Sequence, residues 1–468
     1  MSGMRSERDS MGEMQVPENA YFAASTQRAH LNFQGISGKR FPRSFIRALG
    51  LIKRSAAETN HALGRLPVER LKLIVAAAAE VESGLLDAEF ILDVFQTGSG
   101  TSTNMNVNEV IATRANELAG LRTVPAKERP VHQNDHVNMG QSSNDVIPTA
   151  SHLAAALRLA EALLPALERL EKTLSAKAAE FGDVMKIGRT HLQDATPVTV
   201  GQEFAGWAMQ MRRGRERIQA ALPRLCELAL GGTAVGTGIN THKDFARQTI
   251  ARMASATKLP LVEAENHFEA QGSRDAMVEM SGALRVVAVS LMKISNDIRW
   301  LSSGPRCGIG ELALPATQPG SSIMPGKVNP VIAEAMTMVA AQVMGNDVTI
   351  GIAGQSGVFE LNVMIPVMAL NLLESIELMA GAVTALEEKC VRGIAVDRER
   401  CEGLIESSLA MCTSLAPLIG YENAADIAKE AFKTKKTVRE VALARGVLSP
   451  EKLAEVLNPR NMIHPDQA

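Results

Sequence analysis

The sequence predicts an all-α fold built around a bundle of long helices. Of its 468 residues, 46% are apolar but only 3% are aromatic, and Ala, Leu and Met, which favour helices, recur throughout. Apolar residues also recur at spacings of three and four over long stretches, which is the period of one helix face. Strand-like alternation is scarce. We therefore expect helices that pack on one another.

The strongest periodic pattern lies in the middle of the chain and extends over about seven helical turns. Its members are Met277, Met280, Leu284, Val287, Leu291, Ile294, Ile298 and Leu301. At 1.5 Å per residue, helices of about 25 residues approach 40 Å, a length that favours a bundle of rods.

Three further runs repeat this pattern, and the second of them contains Pro165, which predicts a kink. The runs are Ile365, Met368, Leu372, Ile376, Met379, Val383 and Leu386, then Leu153, Leu157, Ala160, Leu164, Leu167, Leu170 and Leu174, and finally Phe204, Trp207, Met211, Ile218, Leu222 and Leu225. Beside the first seam, Val286, Val289 and Met292 add apolar surface. We expect other subunits to bury it.

Composition changes divide the chain into three predicted domains: a mostly helical N-terminal domain (1–140), a long-helix domain (141–392) and a small helical C-terminal domain (393–468). The last of these contains shorter helical patterns at 422–434 and 438–445. Neither an internal repeat nor a low-complexity tract is evident.

Charge and cysteine usage indicate a soluble cytoplasmic protein. The 49 basic and 51 acidic residues leave a net charge of −2, which does not favour nucleic acid or anionic membranes as partners. The five cysteines form no Cys-x-x-Cys pair, which favours a reducing compartment over a disulfide framework or a zinc cluster. The charged stretch 1–16 does not resemble a secretory signal, and no uncharged run reaches about 18 residues.

Two polar segments in the first third of the chain resemble parts of a small-anion site. Segment 97–104 combines glycines, which let the backbone approach a ligand, with hydroxyl donors; it could equally be a loop that caps a helix. The second segment joins 132–136 to 141–145. His132 and His136 have the spacing of a metal pair, without further ligands to support it. Ser142, Ser143 or Asn144 could cap the following helix, whose N-terminus would attract carboxylates.

Two more polar segments follow. In 188–197, His191 lies in a polar stretch before a proline and could act as an acid or base at neutral pH, or could be structural. Segment 320–330 has glycine and proline at its ends and centre, as in a loop that closes over a ligand. Lys327 there offers a positive charge, Asn329 a neutral donor and Ser321 or Ser322 a hydroxyl; an ordinary loop is the alternative. The glycine-rich 231–238 matches no nucleotide-binding pattern.

The motif G-S-S-I-M-P-G-K-V-N-P at 320–330 resembles the signature of the aspartase/fumarase superfamily. Other motifs are similar to class II fumarases in the same order: G-S-G-T-S-T-N-M-N (98–106), Q-S-S-N-D (141–145), G-R-T-H-L-Q-D-A-T-P (188–197), G-G-T-A-V-G-T-G-I-N (231–240) and N-D-I-R-W-L-S-S-G-P-R (296–306). His191 and Gly326 are typical of fumarases, where aspartases have Gln and Ala. The chain departs at 132–136, where fumarases usually read H-P-N-D-D.

The resemblance implies an all-helical homotetramer in which three subunits build each active site and hydrate fumarate reversibly to L-malate, without metal or organic cofactor. It implies Ser321 as the base, His191 as a proton donor or acceptor through water, Glu334 as the residue that orients His191, and Lys327 as a stabiliser of the carbanion. The implied substrate-binding residues are Ser99, Gly100, Thr101, Ser142, Ser143, Asn144, Thr190, Ser322 and Asn329. A secondary anion site would comprise His132, Gln133, Asn134 and Asp135.

Two alternatives remain at this point. An ammonia-lyase or another lyase of the same superfamily would share the fold and the carboxylate-binding loop and differ only in the leaving group. A helical scaffold that had lost activity would lack the hydroxyl, histidine or lysine of the polar segments, and this chain retains them.

Overall fold

The computed structural model describes residues 3–122, 124 and 128–465, so the first two residues of the predicted N-terminal domain, four residues at 123 and 125–127, and the last three of the predicted C-terminal domain lie outside the described residues. The helices are α1 (Ala24–Phe33), α2 (Arg43–Ala62), α3 (Val68–Ser83), α4 (Thr101–Leu118), α5 (Ser143–Arg158), α6 (Leu164–Glu180), α7 (Val200–Leu225), α8 (Phe245–Thr257), α9 (His267–Gly272), α10 (Asp275–Leu301), α11 (Val331–Gly354), α12 (Ile365–Lys389), α13 (Arg398–Ser407), α14 (Ala416–Ile419), α15 (Tyr421–Thr434), α16 (Val438–Arg445) and α17 (Pro450–Val456).

The strands are short and pair in twos. They are β1 (Met4–Asp9), β2 (Gly12–Pro17), β3 (Met185–Thr190), β4 (Gln193–Thr199), β5 (Glu227–Leu228), β6 (Val262–Glu263), β7 (Leu312–Ala313), β8 (Gly357–Val358), β9 (Leu361–Asn362) and β10 (Ala395–Val396). The pairs are β1–β2, β3–β4, β7–β10 and β8–β9, all antiparallel, and the parallel β5–β6. The all-α prediction is confirmed, with these small sheets added to it.

The chain groups into two compact units. The first unit comprises 1–165, 216–288 and 341–380, and the second comprises 166–215, 289–340 and 381–468. The division into domains at 140 and 392 stays a prediction.

The central seam is confirmed as a buried face of α10. Its members from Met277 to Ile298 are 0% exposed and Leu301 is 7% exposed. The seam of α12, from Ile365 to Leu386, is likewise 0% exposed throughout. Burying a large apolar side chain contributes about 1.5–3 kcal/mol, so these two faces are a large part of the core.

Around Pro165, the buried apolar positions are shifted by one residue from the predicted ones. A π-helical turn (Leu159–Leu163) separates α5 from α6, and Leu159 and Leu163 are buried while Ala160 and Leu164 are half-buried. A π turn adds one residue to the helical repeat. The apolar stripe therefore shifts ahead of the proline, whose missing N–H falls at the start of α6.

Polar contacts join neighbouring long helices within each unit. In the first unit, Arg158 of α5 forms a two-point ion pair with Glu377 of α12 at 2.5 and 2.7 Å. In the second unit, the Trp207 indole of α7 donates to Asp297 of α10 at 3.2 Å, and Thr173 of α6 donates to Glu387 of α12 at 2.8 Å. The predicted bundle of long helices is thus present.

The predicted apolar flank remains at the surface of the single chain. Val289 of α10 is 51% exposed, and α11 exposes Met338 (68%), Val348 (61%) and Ile352 (54%). A helix that is apolar all round is normally buried. These apolar side chains are exposed because nothing in the described part of the single chain covers them.

The C-terminal helices follow the predicted patterns. The expected segments 422–434 and 438–445 form α15 and α16. Thr437 and Glu440 make a capping box at the start of α16, which satisfies free N–H groups there. Their buried faces pack into one core with Ile405, Met411 and Leu453.

Two helical stretches are long and apolar enough to span a membrane by length and composition alone. They are Ser143–Glu180 and Ile365–Gly393, and 67% and 50% of their most apolar windows are buried within the protein. Core helices of a soluble bundle have the same properties.

Candidate active site

The first polar segment forms the turn before α4. Gly100 is the N-cap of α4 with φ +71°, and a Cβ there would lie 2.7 Å from the Ile147 side chain, so this position requires glycine. The Ser99 and Thr101 hydroxyls are 2.8 Å apart, and that of Thr101 is 2.7 Å from the Ser143 hydroxyl. Three hydroxyls therefore bring the first and second polar segments together.

The second polar segment starts α5 with a capping box, as one of its two interpretations predicted. Ser142 Oγ accepts from the Asn144 N–H at 3.2 Å, and Asp145 Oδ1 accepts from the Ser142 N–H at 2.9 Å. The Asn144 amide group donates to the Ala234 carbonyl at 2.8 Å. The N-terminus of this 16-residue helix presents hydroxyls and partial positive charge, a combination that suits a carboxylate.

Asp145 connects this helix start to the glycine-rich segment. Its Oδ2 accepts from the N–H groups of Gly231 and Thr233, each at 3.0 Å, and the side chain is 0% exposed. Burial raises the pKa of Asp145, whereas these hydrogen bonds and the Lys53 charge oppose the rise. The N–H groups of Gly231 and Thr233 are therefore engaged by a carboxylate of the chain itself.

The predicted secondary anion segment forms a π-helical turn, Gln133–Val137, with His132 at its N-cap. His132 Nδ1 accepts from the Asp135 N–H at 3.2 Å, and His136 Nδ1 accepts from the His132 N–H at 2.8 Å. Both Nδ1 atoms thus accept hydrogen bonds from backbone N–H groups of the same segment. Across the described ranges, no group of three or more His, Cys, Asp or Glu side chains is placed to hold a metal ion.

The loop 320–330 belongs to the second unit and closes on itself. The Gly320 N–H donates to the Lys327 carbonyl at 2.8 Å, and a Cβ on Gly320 would lie 2.6 Å from that oxygen. Lys327 Nζ donates to Asn329 Oδ1 at 2.9 Å, and Asn329 Nδ2 donates to the Gly320 carbonyl at 2.7 Å. Residues 322–328 are exposed. The loop therefore exposes the Lys327 side chain, while the Asn329 amide is half-buried and hydrogen-bonded within the loop.

Ser321 is held by the backbone of the same loop. Its Oγ accepts from the N–H groups of Ile323 at 3.2 Å and Met324 at 2.9 Å, and the residue is half-buried. Two N–H groups directed at one oxygen stabilise negative charge on it. This is the local environment that a serine acting as a base requires.

A cavity of about 880 Å³ lies beside this loop, within the second unit. Its lining includes Lys327, Asn329 and Glu334 together with Asn296 and Arg299. Glu334 lies in the first turn of α11, where the helix dipole favours a carboxylate. The cavity thus contains charged and amide groups from two of the recognised motifs.

His191 occupies the turn between β3 and β4. His191 and Leu192 have φ of +57° and +59°, so both central residues of this two-residue hairpin turn are left-handed, which costs energy without glycine. Such strained residues are concentrated at functional sites. His191 is exposed, as is Thr190 beside it.

A buried ionic cluster supports this hairpin. Glu311, 0% exposed, pairs with Arg189 of β3 at 2.9 and 3.0 Å and with Lys186 of β3 at 3.2 Å. Lys186, 1% exposed, also pairs with Glu203 of α7 at 2.9 Å. Burial raises the pKa of Glu203, against the lowering effect of Lys186. The strand that leads to His191 is therefore tied to two other segments.

The structure brings the predicted residues together in two groups. Ser99, Thr101 and Ser143 meet in the first unit, with Gly100, Ser142 and Asn144 adjacent in sequence. Lys327, Asn329 and Ser321 share the loop in the second unit, and Ser322 is exposed beside them. Within the part of the chain that is described, no hydrogen bond joins His191 to Ser321 or Glu334.

Sequence reasoning missed Lys53 and Glu311. Lys53 is 0% exposed on α2 and lies in an apolar stretch with Leu49 and Ile52. A lysine on the buried face of a helix could have drawn attention to it. Glu311 carries no comparable signal, because its partners lie more than 100 residues away.

Comparisons with known proteins agree with these motifs. Residues 12–345 match the family described as "Lyase", and residues 411–464 match "Fumarase C C-terminus". The chain is 54% identical to the protein named fumarate hydratase class II of Neisseria meningitidis, over 98% of this chain and 99% of that protein. It is 52% identical to the mitochondrial fumarate hydratase of Rattus norvegicus, over 99% of this chain and 91% of that protein.

A solved structure gives the same result. The crystal structure of the class II fumarase from Schistosoma mansoni matches with a TM-score of 0.96 and 42% identity, over 99% of this chain and 100% of that chain. Sequence motifs, family models and fold therefore agree along nearly the whole length, and the chain belongs to the class II fumarase family.

Proposed function

We propose that this chain catalyses the reversible hydration of fumarate to L-malate. The observation that carries the proposal is full-length membership in the class II fumarase family, with the motifs at 98–106, 141–145, 188–197 and 320–330 present. The hydroxyl, amide and ammonium groups of the polar segments fit a small dicarboxylate substrate. The proposed chemistry uses side chains and backbone amides and calls on no metal or organic cofactor.

In the dehydration direction a base removes a proton from the carbon next to one carboxylate, and a hydroxyl leaves the neighbouring carbon. The proton is weakly acidic, so the doubly charged carboxylate of the resulting carbanion needs preorganised donors. Lys327, Asn329 and the amides of the 320–330 loop would supply them. Each such donor contributes on the order of 10²–10³ in rate.

Ser321 would be the base, because the N–H groups of Ile323 and Met324 are directed at its Oγ. These donors, with the Lys327 charge in the same loop, favour the alkoxide over the hydroxyl and so make a weak base usable. His191 would transfer the second proton through a water molecule. Its exposed position in a strained turn supports this role, and Glu334 would orient and charge its ring.

The second carboxylate and the hydroxyl of the substrate would bind at the start of α5. Its N-terminus and the Thr101–Ser143 contact support this assignment. Ser99, Gly100, Ser142, Asn144, Thr190 and Ser322 complete the proposed substrate-binding set. His132, Gln133, Asn134 and Asp135 would form the secondary anion site.

The proposed assembly is a cytoplasmic homotetramer, with three domains in each chain and three subunits contributing to each active site. The exposed apolar side chains of α10 and α11, such as Val289 and Met338, support burial against further copies. The exposure of His191 and Lys327 in a single chain also supports sites completed by neighbours.

Mixing two inactive variants tests the shared site. Thr101→Val alters the first polar segment, and Lys327→Met alters the loop in the second unit. If the two segments of one site come from different subunits, random 1:1 hybrid tetramers should regain about a quarter of wild-type activity. If each site is built within one subunit, the hybrids should stay inactive.

The reaction itself is tested by adding L-malate to the purified protein and following the ultraviolet absorbance of the conjugated double bond of fumarate. A rise that saturates with L-malate, and that is lost in Ser321→Ala, supports the proposal. No rise with L-malate would contradict it.

A further inference from the structure

Lys53 lies fully buried at the junction of two polar segments. It belongs to α2 and is 0% exposed. Its Nζ donates to three side-chain oxygens: Asn104 Oδ1 at 2.8 Å, Asn138 Oδ1 at 2.9 Å and Gln141 Oε1 at 3.0 Å. A protonated ammonium has three donors, so the three amide oxygens match it one for one.

These acceptors belong to the segments that carry the proposed substrate hydroxyls. Asn104 lies in the first turn of α4, one helical turn after Thr101. Gln141 directly precedes Ser142, the N-cap of α5. Asn138 ties the acceptors to one another, because its Oδ1 accepts from Asn104 Nδ2 at 3.2 Å and its Nδ2 donates to the Gln141 carbonyl at 3.0 Å.

Among the described residues, no carboxylate is in hydrogen-bond contact with the Lys53 ammonium. Asp145 acts on it through space, while both Asp145 oxygens accept from the backbone amides of Ser142, Gly231 and Thr233. A buried charge of this kind is a poor way to gain stability, because a well-packed apolar side chain is often equal or better. A role in fixing geometry explains why an ammonium occupies this position.

We propose that Lys53 is a positioning residue, whose ammonium sets the geometry of the substrate-binding hydroxyls by joining the start of α4 to the segment that leads into α5. The hydroxyl contact between Thr101 and Ser143 is one link between these segments, and the Lys53 cluster (Lys53, Asn104, Asn138 and Gln141) is a second. Asn104 and Asn108 of α4 also donate directly to Asn138 Oδ1, each at 3.2 Å. Lys53 adds a charged group that contacts both segments at once. This inference rests on the proposed function, since it assigns Lys53 to that same site.

The test replaces Lys53 by methionine, which keeps the length of the side chain and removes its charge and donors. Because a small misplacement of binding groups can cost about 10²-fold, Lys53→Met should lose roughly that factor in kcat/KM for L-malate. The tetramer should be retained. Lys53→Gln, which keeps two donors, should lose less and serves if the methionine variant does not fold.

Thr59→Val is the matched control. Thr59 is also 0% exposed on α2, and its hydroxyl makes no hydrogen bond in the described structure. The change is nearly isosteric and removes no hydrogen bond from either segment. Its kcat/KM should remain within about twofold of wild type, as expected for a substitution away from the site.

Amide hydrogen exchange tests the positioning role without using activity. In Lys53→Met, exchange should accelerate in 98–104 and 138–145 but stay unchanged in α10, and Thr59→Val should resemble wild type throughout. Wild-type exchange in both segments, or unchanged kcat/KM in both Lys53 variants, would overturn the inference. If wild-type protein does not turn over L-malate, the proposed function fails, and the exchange comparison still decides whether Lys53 joins the segments.

Discussion

Replacing Glu311 by glutamine should destabilise the protein more than breaking any exposed ion pair. Glu311 is 0% exposed and contacts Arg189 at 2.9 and 3.0 Å and Lys186 at 3.2 Å. Glutamine keeps the size of the side chain but removes its charge. The four-residue cluster with Glu203 then changes from neutral to singly positive in a buried setting.

The expected loss of stability depends on the contacts that Lys186 and Arg189 keep in the variant. Removing one member of a buried ion pair costs about 3–5 kcal/mol. Lys186, 1% exposed, keeps Glu203 at 2.9 Å, and Arg189 is 15% exposed and can reach water. Both facts place the expected loss at the lower end, about 3 kcal/mol, which lowers the melting temperature by roughly 6–12 °C for a unit of this size.

The assay is thermal unfolding followed by the helical circular dichroism signal. Asp183→Asn is the control, since it breaks a two-point pair with Arg398 whose side chains are 53% and 61% exposed. Exposed pairs contribute at most about 1 kcal/mol, so the control should melt within roughly 4 °C of wild type. If Glu311→Gln melts no lower than the control, the buried ion pairs of Glu311 do not stabilise the protein more than an exposed pair does.

Four further predictions concern activity, stability and their dependence on pH. Ser321→Ala should lower kcat by about 10²–10⁴-fold with the tetramer intact, while Ser407→Ala, an exposed serine of α13, should be neutral; near-normal turnover in Ser321→Ala would remove the base assignment. His191→Asn should lower kcat and alter its pH profile, and an unaltered profile would place the proton transfer elsewhere. Burial lowers the pKa of Lys53 to about 7, and the Asp145 charge opposes this shift. Therefore kcat/KM should fall above about pH 7, because the neutral amine has one donor fewer. The same pH profile of kcat/KM in Lys53→Gln would contradict this. The pKa of lysine in the unfolded chain is about 10.4, so between about pH 7 and 10 the unfolded chain holds a proton that folded Lys53 has lost. The free energy of unfolding should therefore rise with pH over this range. This rise should be missing in Lys53→Met.

The long helices could be predicted because their signal is local and repeated. The seams of α10 and α12 each place apolar residues every three or four positions, and one buried face is enough to identify them. The π turn before Pro165 could not be predicted, because the proline marks a disturbance without specifying how the backbone absorbs it.

The small hairpins lacked a local signal. A two-residue turn is usually announced by Asn-Gly or Asp-Gly, whereas β3 and β4 are joined by His191 and Leu192. Their strain is supported by distant partners, of which Glu311 is the clearest. The β1–β2 hairpin similarly depends on Arg5, which donates to the Pro17, Glu18, Ala20 and Phe22 carbonyls.

The candidate site shows the same division. Motifs identified the residues that would contact substrate, since those residue types are chemically distinctive. Lys53 and Asp145 contact these segments from the buried side. Their partners Gln141, Gly231 and Thr233 become neighbours only after folding. The residues proposed to contact substrate could therefore be predicted from the sequence more readily than the buried residues that hold them in place.

The most direct test of the proposed reaction compares two substrates. Purified protein is mixed separately with L-malate and with L-aspartate, a chelator is present throughout, and the absorbance of fumarate is followed. We predict fumarate from L-malate alone. Fumarate from L-aspartate would indicate an ammonia-lyase, and no fumarate from either substrate would contradict the proposed reaction.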